Sequence, residues 1–570
     1  MLKKWDINKF DTTVALELAD LLGVGSVTAS VLAGRGIVSA EDGRSFLAPS
    51  FAAMPDPYML KGVAEAVTRL CEARSSKETV CIYGDYDVDG ISGTALLVSF
   101  LRRVGLTCNY FIPNRFNDGY GLNKNALEQI IAGGATLIIS VDCGITSVAE
   151  AEFCRQLGID LIITDHHSPK DTIPDACAVV NPLQPGCSYP FKLLAGVGVA
   201  FNLLIALRSK LRLAGAFVDN GEPDLREWLD LVALGTIADV VPLVGQNRVY
   251  AYYGLKQLGS SAKPGIEALK RVAGVKDEVS CGQVGFRLAP RLNAAGRMES
   301  AVPGVELLLG GDPQESVIIA EELDAANAER QSIERGILEE AIALVERDGA
   351  YPARRSIVLA SRSWHQGVVG IVASRLVERY HRPTILIALD QDGSGKGSGR
   401  SIPGFHLLDA LTTCSEYLDR FGGHRYAAGV AVSADRVAAF TGSFEAAAAL
   451  MLNGVELMPT LDIDAEVFPG DVSADLVSEL KRLEPFGAGN PEPTLLMRGL
   501  KVIDKRVVGD GHLKLSLEAS GRIFSAIAFR QAECATDGLL DVAFFPELNV
   551  WNNTATLQLR IKNIRPAEVL

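Results

Sequence analysis

Asp85, Asp87 and Asp89 alternate with Tyr86 and Val88 between Gly84 and Gly90. Three carboxylates this close repel one another, and hard divalent cations relieve that repulsion. Further on, Asp142 follows an apolar run, and Asp165-His166-His167 follows another. The chain has seven histidines, and two of them are adjacent here. Carboxylates and imidazoles delivered in this way point to a metal centre. Asp-x-Asp-x-Asp-Gly also opens helix-loop-helix calcium loops, but those need Glu at the twelfth position. Leu96 stands there, and an apolar strand pattern precedes the motif. A solvated acidic turn would account for the Asp run alone, but not for Asp142 and the histidine pair beside it. Gly393 to Arg400 invites a phosphate-loop reading, which fails because Gly397 follows Lys396. A Gly/Ser-rich hairpin is expected there, or a backbone nest near a substrate phosphate, helped by Arg400.

The elements that must position these residues alternate between strand and helix. Thr79 to Tyr83, Thr136 to Val141 and Ile159 to Thr164 are short apolar runs of the buried-strand type. Each ends where a candidate ligand begins. Helical stretches separate them, with Ile91 to Val104 the clearest. Such alternation implies a parallel sheet, whose ligands collect at the carboxyl ends of its strands. Residues 1–50 read as short helices without chemistry. Asp312-Pro313-Gln314-Glu315 opens a long helix, with Asp312 as N-cap and Pro313 in the first turn. Its apolar spacing runs to about Val345, interrupted by Asn327 and Arg330. A second α/β unit follows, with strands at Ser356 to Ala360 and Thr384 to Ala388. After about 459 come short alternating strands at 513–517, 523–529, 542–545, 548–551 and 555–561, the texture of a small β-barrel or sandwich. The expected domains are 1–50, 51–311, 312–349 (the bridging helix), 350–456 and 457–570.

Composition narrows the class. At 570 residues, with 48% hydrophobic and 22% charged residues, the chain is several soluble globular domains. A net charge of −14 argues against a bulk, sequence-blind DNA coater, though it permits a local basic channel. No apolar leader and no run of about 18 apolar residues is present, so a cytoplasmic protein without membrane attachment is expected. Ten scattered cysteines without a Cys-x-x-Cys pair read as reduced residues, not as a zinc site or disulfide framework.

The motifs resemble those of the DHH phosphoesterase superfamily. Asp85 to Gly90, Val141 to Gly144 and Asp165-His166-His167 look like its first three motifs, and Gly235 to Leu243 like its fourth. Gly422-Gly423-His424, followed by Ala427, Ala428 and Gly429, resembles the signature of the associated DHHA1 domain. Arg291 to Arg297, Trp364 to Gly370 and the terminal β unit are similar to the superfamily's single-strand-specific 5′-to-3′ exonucleases in particular. The resemblance implies an α/β chain: a parallel-sheet DHH domain, a long bridging helix, a second α/β DHHA1 domain and an all-β oligonucleotide-binding barrel. It implies that Asp85, Asp87, Asp89, Asp142, His166 and Asp239 hold two metal ions, with Asp142 between them. His167 would contact the scissile phosphate or help proton transfer, and Asp165 would orient a histidine ring. Asp239 would otherwise read as a helix-end carboxylate. Mixed carboxylate and imidazole donors suit Mn²⁺ better than Mg²⁺, which remains an alternative.

For the substrate, Arg291, Arg297, Arg375 and Arg400 are candidate phosphate clamps, each of which could equally be a surface ion pair. Gly422, Gly423 and His424 would offer backbone N–H groups to phosphate, the alternative being a plain turn. Phe486, Phe524, Phe529 and Trp551 are available for base stacking, although a β core needs aromatics too. The expected partners are single-stranded DNA, a helicase and a single-strand-binding protein, with the chain as a monomer in DNA recombination and repair. Two rivals stand beside this reading: a DHH oligoribonuclease or cyclic-dinucleotide phosphodiesterase, and a non-catalytic binding module.

Overall fold

The computed structural model describes residues 3–115, 118–219, 221–276, 278–534, 538–551 and 554–567. They fall into two compact units. One holds Trp5–Ala289, Val305–Ser316 and Thr460–Leu570; the other holds Met1–Lys4, Pro290–Gly304 and Val317–Pro459.

The first unit contains a parallel sheet of five strands in the order Thr107–Phe111, Thr79–Tyr83, Leu137–Val141, Asp160–Thr164, Ala178–Val180. The three inner strands are those read from the sequence. Leu137–Val141 is buried at every residue, as a sheet covered on both faces requires. The two outer strands escape pattern reading: one alternates with polar residues and is half-exposed, the other is three residues long. The helix Val88–Arg103 lies close on the sheet. A Cβ added to Gly93 would come within 2.6 Å of Val141 Cγ2, so this face tolerates no side chain. Because all five strands run the same way, Gly84, Asp142 and Asp165 leave the sheet along one rim.

The same unit ends in a closed barrel. Leu495–Val508, His512–Ala519, Arg522–Ala528, Thr554–Pro566 and Leu539–Trp551 pair in that order, and the last pairs back with the first. This is the strand order of an oligonucleotide-binding fold. Two expected strands, 542–545 and 548–551, are halves of one long strand, and Leu495–Val508 carries no clear alternation in sequence. Phe524 is buried in the barrel core and Phe486 packs edge-on against Phe545, with centroids 6.0 Å apart. Phe529 is half-exposed beside His512. The side chain of Trp551 lies outside the described residues.

The short helices expected in the first fifty residues are present as Thr12–Leu22, Ser26–Gly34 and Ala40–Leu47, preceded by a strand that was not expected. Lys4–Ile7 is a strand paired with Thr460–Ile463. The helices Thr12–Leu22 and Ser26–Gly34 give Ala15, Leu18, Val31 and Leu32 to the same core as Leu480, Leu495 and Phe544. The helical segment shares the barrel's hydrophobic core.

The second unit is built on a mixed sheet, Arg420–Gly423, Ala427–Ser433, Ser394–Arg400, Thr384–Leu389, Ile357–Ser361, in which only the last two pair in parallel. The glycine-rich segment forms the expected hairpin, pairing antiparallel with Thr384–Leu389 through the turn at 390–393, and its strand Ser394–Arg400 is the central one of the sheet. Its glycines face a crowded side: a Cβ on Gly397 would meet Val430 Cγ2 at 2.6 Å, and one on Gly399 would meet Leu407 Cδ2 at 3.0 Å. The long helix is present as Pro313–Arg347, 35 residues, opened by Asp312, whose carboxylate accepts from the N–H groups of Gln314 and Glu315. Its far half packs Ile337, Ala341 and Val345 against Trp364, Val368 and Leu376. Asn327 and Arg330 are buried because Arg330 donates to Asn327 and to Glu334.

Candidate metal centre and substrate face

The strand Thr79–Tyr83 delivers Asp85, Asp87 and Asp89 through a turn that only glycine permits. A Cβ on Gly84 would overlap Thr94 Oγ1, and one on Gly90 would lie 2.6 Å from the Asp85 backbone. Asp87 caps the helix Val88–Arg103, accepting from the N–H groups of Asp89 and Gly90 at 3.0 and 3.2 Å. Asp142 stands at the end of Leu137–Val141 with φ 65°, a left-handed conformation uncommon outside glycine. His166 and His167 follow Asp160–Thr164. Asp239 ends the helix Leu229–Ala238.

These side chains converge. Asp89, His166 and Asp239 place donor atoms within 4.8 Å of one another; so do Asp85, Asp87 and Asp142, and so do Asp142, His166 and His167. His166 Nε2 lies 3.1 Å from Asp142 Oδ1, 3.6 Å from Asp239 Oδ2 and 3.9 Å from Asp89 Oδ2. Asp165 stays out of these sets. Its carboxylate accepts from the N–H groups of Ile145, His166 and His167 and lies 2.8 Å from His167 Nδ1, so it fixes that ring.

Burial and mutual repulsion dominate the electrostatics. Burial, then the neighbouring carboxylates, hold Asp85 and Asp142 well above the usual carboxylate range. The same causes push Asp89 up to about 7 and Asp239 up to about 9. Burial, then the charge of His167, brings His166 down to about 4, so its ring is neutral. Burial alone would lower His167 too, but the hydrogen bond and charge of Asp165 outweigh it and raise the ring to about 9. Asp85 Oδ1, Asp142 Oδ1, His166 Nε2 and Asp239 Oδ2 are buried without a hydrogen-bond partner. Buried polar groups are almost always satisfied, so four orphaned lone-pair donors in one place fit a cationic ligand.

In the second unit Ser398 and Arg400 lie on the strand face opposite the glycines. Arg400 Nη1 donates to Ser398 Oγ at 3.0 Å and to Gly399 O at 2.8 Å. A Cβ on Gly370 would come within 2.8 Å of Ser398 Oγ and 3.2 Å of Arg400 Nη2. The first turn of the helix Val369–Tyr380, which has no side-chain cap, thus opens onto a hydroxyl and a guanidinium. Helix N–H groups beside an arginine suit a phosphate. Arg297 reaches the adjoining loop, with Nη1 3.5 Å from Gly367 O. Glu340 pins that loop by accepting from Ser361, Ser363 and Trp364 Nε1.

The other substrate candidates are placed differently. Arg291 pairs with Asp324 at 2.8 Å. Arg375 pairs with Glu334 and Glu378, both at 3.3 Å, and so extends the buried Arg330–Glu334 contact. The His424 N–H donates to Ala427 O at 2.8 Å, so it closes a hairpin and is not offered to a phosphate. Gly423 takes φ 146° there, and a Cβ on it would sit 2.5 Å from Ala428 Cα. Gly422 has nothing within 4 Å of its would-be Cβ.

Residues 79–236 match the DHH family, N-terminal domain; 355–449 match the DHHA1 domain; and 463–563 match the RecJ OB domain. The chain is 40% identical to the single-stranded-DNA-specific exonuclease RecJ of Escherichia coli over 553 residues, covering 94% of this chain and 95% of that one. It is 39% identical to the Bacillus subtilis RecJ over 574 residues, 99% of this chain and 71% of that one. The chain belongs to the RecJ family. The crystal structure of Thermus thermophilus RecJ in complex with Mn²⁺ superposes with a TM-score of 0.86 at 33% identity, covering all of this chain and 80% of that one. Family membership and the DHH domain make this RecJ-family chain a metal-dependent hydrolase of the nuclease class, with a divalent metal cofactor. No described helix is long and apolar enough to cross a membrane.

Sequence reading missed two contributors to this RecJ-family centre, the Gly196 helix start and Tyr120, and the packing role of Gly235. Gly196 and Val197 open the helix Gly196–Leu213, and their N–H groups donate to the Asp89 carboxylate at 2.6 and 2.9 Å. That is an anion held at a helix N-terminus, signalled only by the glycines at 196 and 198. Gly235 lets the helix Leu229–Ala238 approach, since its Cβ would lie 2.7 Å from Asp89 Oδ1. The Tyr120 hydroxyl is 3.2 Å from His167 Nδ1 and 3.4 Å from Asp142 O. Tyr120 is flanked by Gly119 and Gly121, both left-handed.

Proposed function

We propose that this chain is a single-stranded-DNA-specific 5′-to-3′ exonuclease that releases 5′-mononucleotides by two-metal phosphodiester hydrolysis. The observation that carries the proposal is that Asp142 stands between two donor sets, Asp85–Asp87 on one side and Asp89–His166–Asp239 on the other, with orphaned lone pairs in both. Two divalent cations, with Mn²⁺ preferred and Mg²⁺ possible, would supply charge neutralisation and an activated water for in-line displacement. The chain's residues do the rest. His166 is neutral near pH 7 and presents its Nε2 lone pair. Asp165 keeps His167 protonated and oriented, so that it can hydrogen-bond the scissile phosphate and donate to the leaving oxygen. Tyr120 orients the same ring from its exposed side.

The substrate class rests on the relatives named above and on the terminal barrel, a fold that binds single strands by stacking and basic grooves. Arg400, Ser398, Arg297 and the first turn of Val369–Tyr380 offer a phosphate site for the strand. Arg291, Gly422, Gly423 and the side chain of His424, whose N–H is already spent on Ala427 O, stay candidates for phosphate contact. Recombination and repair in the cytoplasm, as a monomer beside a helicase and a single-strand-binding protein, complete the reading. Equilibrium dialysis with elemental analysis should find two Mn²⁺ per chain, and long single strands should be cleaved in preference to dinucleotides. One ion per chain, or a preference for dinucleotides, would contradict it.

A further inference from the structure

We infer that the terminal β unit positions Asp239: the turn at residues 486–490, ahead of the barrel's first long strand, clamps the strained loop that follows this carboxylate. The inference rests on reading Asp239 as a metal ligand. Asp239 caps the carboxyl end of Leu229–Ala238, its N–H donating to Gly235 O at 2.9 Å, but the helix dipole there disfavours a negative charge and the helix does not hold the loop beyond it. The next residue, Val240, takes φ 61°. Glycine normally fills this left-handed position beyond a helix end, and a β-branched residue there is strained. Such strain persists only where the surroundings over-determine it.

The restraints come from the 486–490 turn. The Leu243 N–H donates to Ala488 O at 2.7 Å. A Cβ on Gly489 would lie 2.7 Å from Pro242 Cβ, and one on Gly487 would lie 2.7 Å from Leu243 Cδ1. The turn itself is held. Gly487 and Asn490 exchange backbone hydrogen bonds at 2.8 and 3.2 Å. Asn490 is fully buried, donates to Leu483 O and Pro485 O, and accepts from Arg35. On the other side of the loop, Asn247 donates to Pro242 O at 3.1 Å. Arg248, buried one residue on, donates to the carbonyls of Leu483, Glu484 and Phe46 at 2.9, 2.7 and 3.0 Å. The loop after Asp239 and the turn before the barrel are thus joined at both ends. Displacing the Asp239 backbone means breaking these contacts or moving the barrel with it.

The test compares Mn²⁺ binding by calorimetry, without DNA, in the full chain and four variants. Gly489→Ala drives a Cβ into Pro242 and should bind Mn²⁺ roughly 10-fold more weakly, the lower end of what losing a ligand's support costs. Gly487→Ala carries no left-handed strain, should shift affinity the same way, and keeps the test decisive if Gly489→Ala does not fold. Gly511→Ala, at φ 78° with nothing within 4 Å, imposes the backbone strain alone and should bind like the parent. Asp239→Asn should bind more weakly than either turn variant. If Asp239→Asn weakens binding while Gly489→Ala and Gly487→Ala match the parent, the positioning role is wrong. If Asp239→Asn itself binds like the parent, the ligand reading fails and takes the inference with it.

Discussion

Asp142 carries the most consequence of any single residue. It is buried, left-handed, and faces Asp85, Asp89 and Asp239 across the site. With folded pKa values above the unfolded ones, ionising these carboxylates costs stability, and the cost grows as pH rises toward the folded values. Asp89, raised to about 7, spends its effect below pH 7, whereas Asp239 at about 9 and the raised His167 act in the same direction between pH 7 and 9. In chelator the melting temperature should therefore fall over that window, and Mn²⁺ should reverse the fall. Asp142→Asn should flatten that dependence in chelator while lowering cleavage by more than about 100-fold, beyond what losing a ligand's supporting residue usually costs. Single-strand binding by that variant should persist. The phosphate candidates separate in the same way. Arg400→Ala should raise the KM for single strands and reduce the slope of log affinity against log salt by about one. Arg375→Ala should leave both unchanged and cost stability instead, because Arg375 is spent on Glu334 and Glu378.

At the scale of elements, the centre is a meeting of three strand ends and three helix ends. The strand ends were legible in the sequence because each ligand follows an apolar run directly, and Asp239 came from motif resemblance. The helix contribution was not legible. Nothing in the run Leu194 to Ala200 says that its N–H groups point at Asp89, because that pairing spans 107 residues. Tyr120 was missed for the same reason, as its partner lies 47 residues away. The glycine-rich hairpin could be read from composition, but not that its glycines mark close packing under Val430 and Leu407. Gly235 tests the helix argument. Gly235→Ala should overpack Asp89 and Val197, cost about 1–3 kcal/mol, and abolish the thermal shift produced by Mn²⁺, read by calorimetric melting with and without the ion.

At the scale of the whole molecule, the chain's beginning and end form one piece. The α/β, α/β, β succession could be read from hydrophobic periodicity, but the joint core of Leu18, Val31, Leu480 and Phe544 could not, since it pairs segments more than 400 residues apart. Deleting residues 460–570 alone should expose the apolar faces of Thr12–Leu22 and Ser26–Gly34, giving dye binding and aggregation; deleting residues 1–50 as well should restore solubility. Light scattering on the two truncations distinguishes these outcomes. The most direct test of the account is digestion of end-labelled single- and double-stranded DNA with Mn²⁺, with Mg²⁺ and with chelator. A 5′ label should leave single strands first, as a mononucleotide, only with a divalent cation, and blunt duplex should resist. Early release of the 3′ label, efficient attack on duplex, or cleavage that survives chelation would contradict it.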